Sequence, residues 1–306
     1  MNVNTNFQKF NEINAYLCFS LIFLLFHMFF FFIIFKIICL LLHKINIKYC
    51  KKITKVVSKL QKLLSLVRAG VDKYKMIEDG DKIAVCVSGG KDSVVMLLCL
   101  INLKIFYPKK FELCAVTLDP CFYGECADYS EIEEICKKHN IPYIIKKTEL
   151  YHIIFEERKE SNPCSLCARM RRGLLHDTAK ELGCNKIALG HHLDDAAETF
   201  IMNLFGNGRA ESFSPVSYLS RKDLYMIRPM VFAYESDITR VANKENVPIV
   251  ESKCPADEKT NREDTKILLR DLEKRYPALR QKIIGGMQRG NISGWGIEEV
   301  KSDSEE

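Results

Sequence analysis

The chain has 306 residues, 47% of them hydrophobic and 27% charged, so it can bury one large core or two modest ones and falls outside the compositionally disordered class. A net charge of +6 and a sequence pI of about 8.6 permit an anionic partner, nucleic acid or a membrane surface, without selecting one. Thirteen cysteines, odd in number and scattered, exclude the dense disulfide framework of a small secreted domain and point to a reducing compartment.

Residues 16–35, YLCFSLIFLLFHMFFFFIIF, carry no formal charge, and after Lys36 the apolar run resumes to Leu42, long enough to cross a bilayer. The run is too long for a signal-peptide core and lacks a small-residue cleavage site. Lys44, Lys48, Lys51, Lys52, Lys55, Lys59 and Lys62 follow it, an excess that would hold the rest of the chain in the cytoplasm. The Phe, Ile, Asn and Lys bias is also what AT-rich DNA encodes, so residues 1–50 are either a membrane anchor or an upstream stretch joined to the reading frame.

Past residue 60 the pattern alternates. KIAVCV (82–87), ELCAVTL (112–118), PYIIKK (142–147) and NKIALG (185–190) are short and rich in β-branched residues, with helical periods between them. Apolar strands separated by helices predict an α/β fold, an open parallel sheet with helices on both faces, whose ligands bind beyond the carboxyl ends of the strands. Residues 51–290 are expected to form this domain, and the acidic stretch 291–306, ending in IEEVKSDSEE, a mobile tail.

The stretch VSGGKDSVVML (87–97) sits at one such carboxyl end. Ser88, Gly89 and Gly90 let the backbone turn sharply and bring N–H groups close to a ligand. Asp92 and Ser93 are good helix starters, so the loop should lie at a helix N-terminus that favours an anion, and Lys91 adds a full positive charge. The expected ligand is phosphate or pyrophosphate. The common nucleotide loop does not fit, because it needs glycine at Val85 and Ser or Thr at Asp92.

Three later stretches carry further polar chemistry. Asp119 ends the second strand in VTLDP, close to a nucleoside's ribose or base or simply in a strand-to-turn role. Cys121 and Cys126 lie in the loop that follows and receive no role. PCSLCARMRRGLL (163–175) starts a helix with a CxxC pair, Cys164 and Cys167, whose spacing lets two thiolates reach one metal ion or cluster. A third thiol must come from elsewhere, and Cys254 in ESKCPAD is the best candidate. Three cysteines suit a [4Fe-4S] cluster with one open iron, and with a histidine they would suit zinc. Arg169, Arg171 and Arg172 share the helix and can meet RNA phosphates, or be ordinary solvated arginines. In KIALGHHLDDAAET (186–199), Gly190, His191, Asp194 and Asp195 stand where the fourth strand ends; a polar helix cap explains one aspartate better than two. Cys86, Cys99 and Cys114 sit in apolar segments as inert core thiols.

SGGKDS resembles the PP-loop of the ATP pyrophosphatases. Together with the CxxC stretch, GHHLDD and IRPM (227–230), in that order, the chain from about Leu60 to about Ile284 resembles the tRNA 2-thiocytidine synthetase family. The resemblance implies a tRNA sulfurtransferase that uses ATP and Mg²⁺ to adenylate the C2 oxygen of an anticodon-loop cytidine and replaces it with sulfur. It implies nucleotide binding by Ser88, Gly89, Gly90, Lys91, Asp92 and Ser93, Gly190 and His191 bordering the adenosine, and Asp194 and Asp195 near the reacting phosphates or Mg²⁺. It also implies a cluster on Cys164, Cys167 and Cys254, and as partners tRNA, a sulfur donor such as a cysteine desulfurase, and a second copy in a homodimer. The family often carries a second CxxC where only Cys254 stands here. Thiolation of a uridine, or a membrane-tethered ATP-binding iron–sulfur sensor without RNA chemistry, are the rival expectations.

Overall fold

The computed structural model describes residues 60–159, 163–251, 253–255 and 261–296. The apolar run at 16–42 and residues 297–306 of the expected tail lie outside them; the described start of that tail is instead part of the core, with Trp295 fully buried and its Nε1 donating to the Phe213 carbonyl at 2.7 Å. Among the described residues no helix is long and apolar enough to cross a membrane.

Six strands form one sheet in the order β3-β2-β1-β4-β6-β5. The strands β1 (Asp81–Cys86), β2 (Phe111–Asp119), β3 (Tyr143–Lys147), β4 (Lys186–Ala188) and β6 (Leu224–Ile227) run parallel, and only β5 (Val216–Leu219) is antiparallel, paired to β6 in a hairpin at the edge. Helix α1 spans 60–73; α2 (Lys91–Phe106), α3 (Ser130–Lys138), α4 (Pro163–Glu181) and α5 (Leu193–Asn207) make the crossovers, and α6 (Glu235–Lys244), α7 (Asn261–Arg275) and α8 (Leu279–Arg289) follow. The four expected strands are present, with β4 trimmed to three residues because Leu189 and Gly190 already turn toward the next helix.

The apolar runs are explained by burial on both faces. Ile83, Val85, Leu113 and Ala115 pack into the larger core with α1, α2 and α6. The alternate residues Ala84, Cys114, Val116 and Ile187 pack against Leu175 and Ala179 of α4, as a period of two requires. The core thiols behave as expected: burial pushes Cys99 up to about 12 and Cys86 up to about 11, so neither is a nucleophile at neutral pH.

At the amino ends of β1 and β4 an ion pair is enclosed. Lys186 Nζ lies 2.6 Å from Asp81 Oδ2 and donates to the Met76 carbonyl, while Asn185 Nδ2 donates to Asp81 Oδ1. Asp81 and Lys186 are 4% and 6% exposed, so removing one partner strands the other's charge in the core. Lys186→Met is therefore expected to cost roughly 3–5 kcal/mol of stability, measured by urea unfolding; a loss below about 1 kcal/mol would refute the account.

The topology sets the site. The order in which strands are added reverses between the parallel neighbours β1 and β4, whose carboxyl ends leave a crevice, and both the 88–93 loop and the 190–195 segment emerge there.

Candidate nucleotide and thiol site

The 88–93 loop is fastened from within. Ser93 Oγ accepts from the Ser88 N–H at 3.0 Å and donates to the Gly90 carbonyl at 2.8 Å, while Gly90 caps α2. Gly89 takes φ +89°, a conformation open to glycine, and its carbonyl accepts from Val250 N–H at 3.0 Å. Gly190 is required by close approach: a Cβ there would lie 3.2 Å from the Ser93 backbone. The two loops of the crevice thus touch backbone to backbone at the α2 N-terminus, whose free N–H groups favour an anion.

Lys91 is not a bare charge. Its Nζ lies 3.0 Å from Glu235 Oε1 and 3.2 Å from Asp92 Oδ2, and Lys266 meets the other Glu235 oxygen at 2.8 Å. Burial works to raise the Glu235 carboxyl, but the hydrogen bonds and charges of the two lysines win and hold it at about 2. An incoming phosphate therefore competes with Glu235 for Lys91. Asp92 Oδ1 is shut off from solvent and has no hydrogen-bond partner, an open acceptor that suits a bound cation.

Asp194 and Asp195 are engaged elsewhere. Asp194 Oδ2 accepts from the Glu235 N–H at 2.7 Å and Oδ1 pairs with Arg280 at 3.1 Å. His192 caps α5 and Asp195 completes a capping box, its Oδ2 accepting from the His192 N–H at 3.0 Å, with Arg262 at 3.4 Å on its other oxygen. The cap accounts for Asp195, and the tether of α6 and α8 accounts for Asp194.

One turn further along α5, Glu198 is buried. Burial, then the Asp195 charge, push its carboxyl up to about 7 against the pull of Arg262 and Lys266. The unfolded chain ionises this group near 4.5, so the fold holds a proton that the unfolded state has lost, and stability falls as pH rises from about 4.5 to 7. Glu198→Gln should remove that slope: its unfolding free energy gains on the wild type between pH 5 and pH 8, by on the order of 2 kcal/mol. Equal offsets at the two pH values would refute it.

A cleft of about 310 Å³ opens beside the loop, lined by Ser88, Gly90, Asp119, Cys167, Arg171 and Cys254 among others. The CxxC pair starts α4 as expected, 164 exposed and 167 half-buried. The Cys167 thiol is raised by burial and by the neighbouring charges of Cys254 and Cys164, and lowered by Arg171, which also hydrogen-bonds it. Cys164 and Cys254 are thus each near enough to Cys167 to act on its charge, although the three sulfurs do not lie within ligating distance of one another as a set; thiolates are the donor type that iron–sulfur clusters and zinc take. Asp119 spends both oxygens on the turn, accepting from Cys121 N–H and Ala127 N–H at 2.9 Å each.

A second cavity of about 370 Å³ adjoins it, sharing Ser88, Leu118 and Arg171 and adding Arg172, His191 and Arg228. Arg228 Nε donates to His191 Nδ1 at 3.2 Å, which places the His191 proton on Nε2, and both groups lie 4.9 Å from the Phe213 ring. Burial, with the Arg228 charge beside it, pushes His191 down to about 4, so it is a neutral imidazole. Arg169 is exposed on α4. Arg228 stands within IRPM with no role marked by the motif, and Glu235, Lys266 and Arg262 leave no mark in the sequence, because isolated charges in helices carry no spacing signal.

Residues 54–270 match the PP-loop domain family. The chain is 38% identical over 235 residues to the tRNA-cytidine(32) 2-sulfurtransferase of Syntrophotalea carbinolica, covering 76% of this chain and 89% of that protein. It is 40% identical over 243 residues to the protein of that name from Polaromonas naphthalenivorans, covering 78% and 76%. Among solved structures the fold is similar to that of the U34-tRNA thiolase NcsA from Methanococcus maripaludis with its [4Fe-4S] cluster, with a TM-score of 0.60 and 24% identity over 83% of this chain and 81% of that one.

Proposed function

Because the chain belongs to the PP-loop domain family, among the tRNA-cytidine(32) 2-sulfurtransferases, we propose that it activates the C2 oxygen of tRNA cytidine 32 with ATP and replaces that oxygen with sulfur. The observation that carries the reading is that the phosphate loop, Cys167 and Cys254 line a single cleft.

In this reading the free N–H groups at the α2 N-terminus take the ATP phosphates, and Lys91, exchanging Glu235 for phosphate, balances the charge that develops on departing pyrophosphate. The cytidine C2 oxygen attacks the α-phosphorus, the P–O bond to pyrophosphate breaks, and sulfide then displaces AMP from C2; the exchange leaves the carbon at one oxidation level. Asp92, with its unpartnered oxygen, would hold Mg²⁺, which supplies charge neutralisation on the phosphates. Cys164, Cys167 and Cys254 would hold a [4Fe-4S] cluster, which supplies an open iron for sulfide. Arg171 stands between the cleft and the second cavity and orients the reacting phosphate, while Arg169 and Arg172 take tRNA backbone phosphates from the exposed side of α4. His191, a fixed neutral donor, borders the nucleoside with Gly190. Asp194 and Asp195 act by holding α5, α6 and α8 around the loop rather than by touching substrate. The partners are tRNA, a sulfur donor and, in the family's pattern, a second copy of the chain.

Mass spectrometry of tRNA nucleosides from cells lacking this protein, with and without a plasmid copy, tests the reading. Loss and recovery of 2-thiocytidine is the expected result. Unchanged 2-thiocytidine with loss of another thiolated base moves the target and refutes the cytidine assignment; no change in any thiolated base refutes the reaction.

A further inference from the structure

Apart from Cys164, Cys167 and Cys254, a further pair of thiols stands on the loop that walls the same cleft. Cys121 and Cys126 lie on the loop after β2, their Sγ atoms 2.8 Å apart. Their juxtaposition is built by Asp119, which is 2% exposed and accepts the N–H groups of Cys121 and Ala127, one on each carboxylate oxygen, so both ends of the 120–127 loop are tied to one side chain. Cys121 and Tyr123 take left-handed backbone angles, φ 47° and 56°, that fold the loop back on itself. Asp119 Oδ with the two sulfurs would offer three donors to a metal ion, which is the competing use of this pair.

We propose that Cys121 and Cys126 are a reversible intrachain disulfide site that exchanges with low-molecular-weight disulfides of the glutathione class. Cys126 is exposed and Cys121 half-buried. Burial, the hydrogen bond with Cys126 and the Asp119 carboxylate hold the Cys121 thiol up at about 11, so Cys126 takes the first bond. Its sulfur attacks the external disulfide, forming a mixed disulfide and releasing one thiol. Cys121 then attacks the Cys126 sulfur, losing its proton, and the second external thiol leaves; two protein thiols are oxidised and one external disulfide is reduced to two thiols. The bridge would pin a loop that supplies Pro120, Phe122, Glu125 and Ala127 to the cleft wall. Glu125 reaches across to pair with Lys253 at 2.5 Å, beside Cys254. Oxidation therefore acts on the segment facing Cys254. The proposal does not depend on what Cys164, Cys167 and Cys254 hold.

The test uses the full chain, reduced and freed of reductant, incubated without oxygen at rising ratios of oxidised to reduced glutathione, alkylated, digested and mapped by fragmentation mass spectrometry. The tryptic peptide 111–137 carries Cys114, Cys121, Cys126 and Cys136, and the expected product has 114 and 136 alkylated with 121 bridged to 126. Cys121→Ser should trap glutathione on Cys126 as a stable adduct, and Cys126→Ser should leave Cys121 unmodified. A bridge from either residue to Cys164, Cys167 or Cys254, a lasting glutathione adduct on the wild-type pair, a metal ion retained on the pair that blocks exchange, or two free thiols at every ratio would each overturn the proposal.

Discussion

Cys254→Ser is expected to abolish sulfur transfer yet leave ATP affinity within about twofold of wild type, which is about 0.4 kcal/mol. Cys254 faces the cleft with Cys167, while the atoms that shape the phosphate loop, Ser93 Oγ and the Gly90 and Gly89 backbone, make no use of it. With two of three sulfur donors left, the centre loses its fit to a cluster, so the variant should also bind less iron after anaerobic reconstitution. Iron and sulfide content, thiolation of unmodified tRNA and equilibrium ATP binding are read on one preparation. Full thiolation by the serine variant would end the three-cysteine assignment; lost ATP binding together with lost activity would show that Cys254 supports the fold of the cleft.

Gly89→Ala has the second large effect. The position combines φ +89° with crowding: an added Cβ would sit 2.8 Å from Val250 Cβ and 3.3 Å from Tyr129 Cε1. Val250 cannot simply withdraw, because its N–H is bonded to the Gly89 carbonyl at 3.0 Å. A left-handed backbone costs roughly 1–2 kcal/mol and overpacking roughly 1–3 kcal/mol, so a loss of about 2–5 kcal/mol is expected. If the loop yields instead of the fold, the loss appears in ATP affinity as a drop of tenfold or more, about 1.4 kcal/mol per decade. Gly80→Ala is the control, since Gly80 has φ +85° but nothing within 4 Å of the added atom, and should show the backbone cost alone. Equal effects at the two positions would show that crowding at Val250 is not the cause.

The elements that position the site were legible because their signals are local. KIAVCV alternates between two buried faces and was read within one residue of β1, and Asp92 and Ser93 marked the start of α2. The CxxC spacing carried its helix with it, and Pro163 stands at the first helical position, as its fixed φ favours. The β5–β6 hairpin was not read. Its strands are four residues each with half-exposed faces, too short and too mixed for a period of two to stand out.

The aspartates have partners that no local window contains. The family resemblance implies two carboxylates near the reacting phosphates, and the fold gives each a structural partner as well: one closes the cap of its own helix and the other accepts the Glu235 N–H 41 positions on. Likewise Lys91 stood as a bare cation in the sequence, while the folded chain brings Glu235 to it from 144 positions away. No window of sequence holds both partners of such a pair.

By itself the sequence determined the strand and helix periods, the glycine-rich turn at a helix start and the order of motifs that mark the family, because each depends on spacings within a few residues. Only the tertiary structure decided which charges are spent on one another, that Gly190 lies against the Ser93 backbone, and that Cys167 and Cys254, far apart in the chain, line one cleft with the phosphate loop. The physical reason is that burial and ion pairing follow distance in space, and the parallel sheet, with its switch between β1 and β4, is what turns distance along the chain into contact.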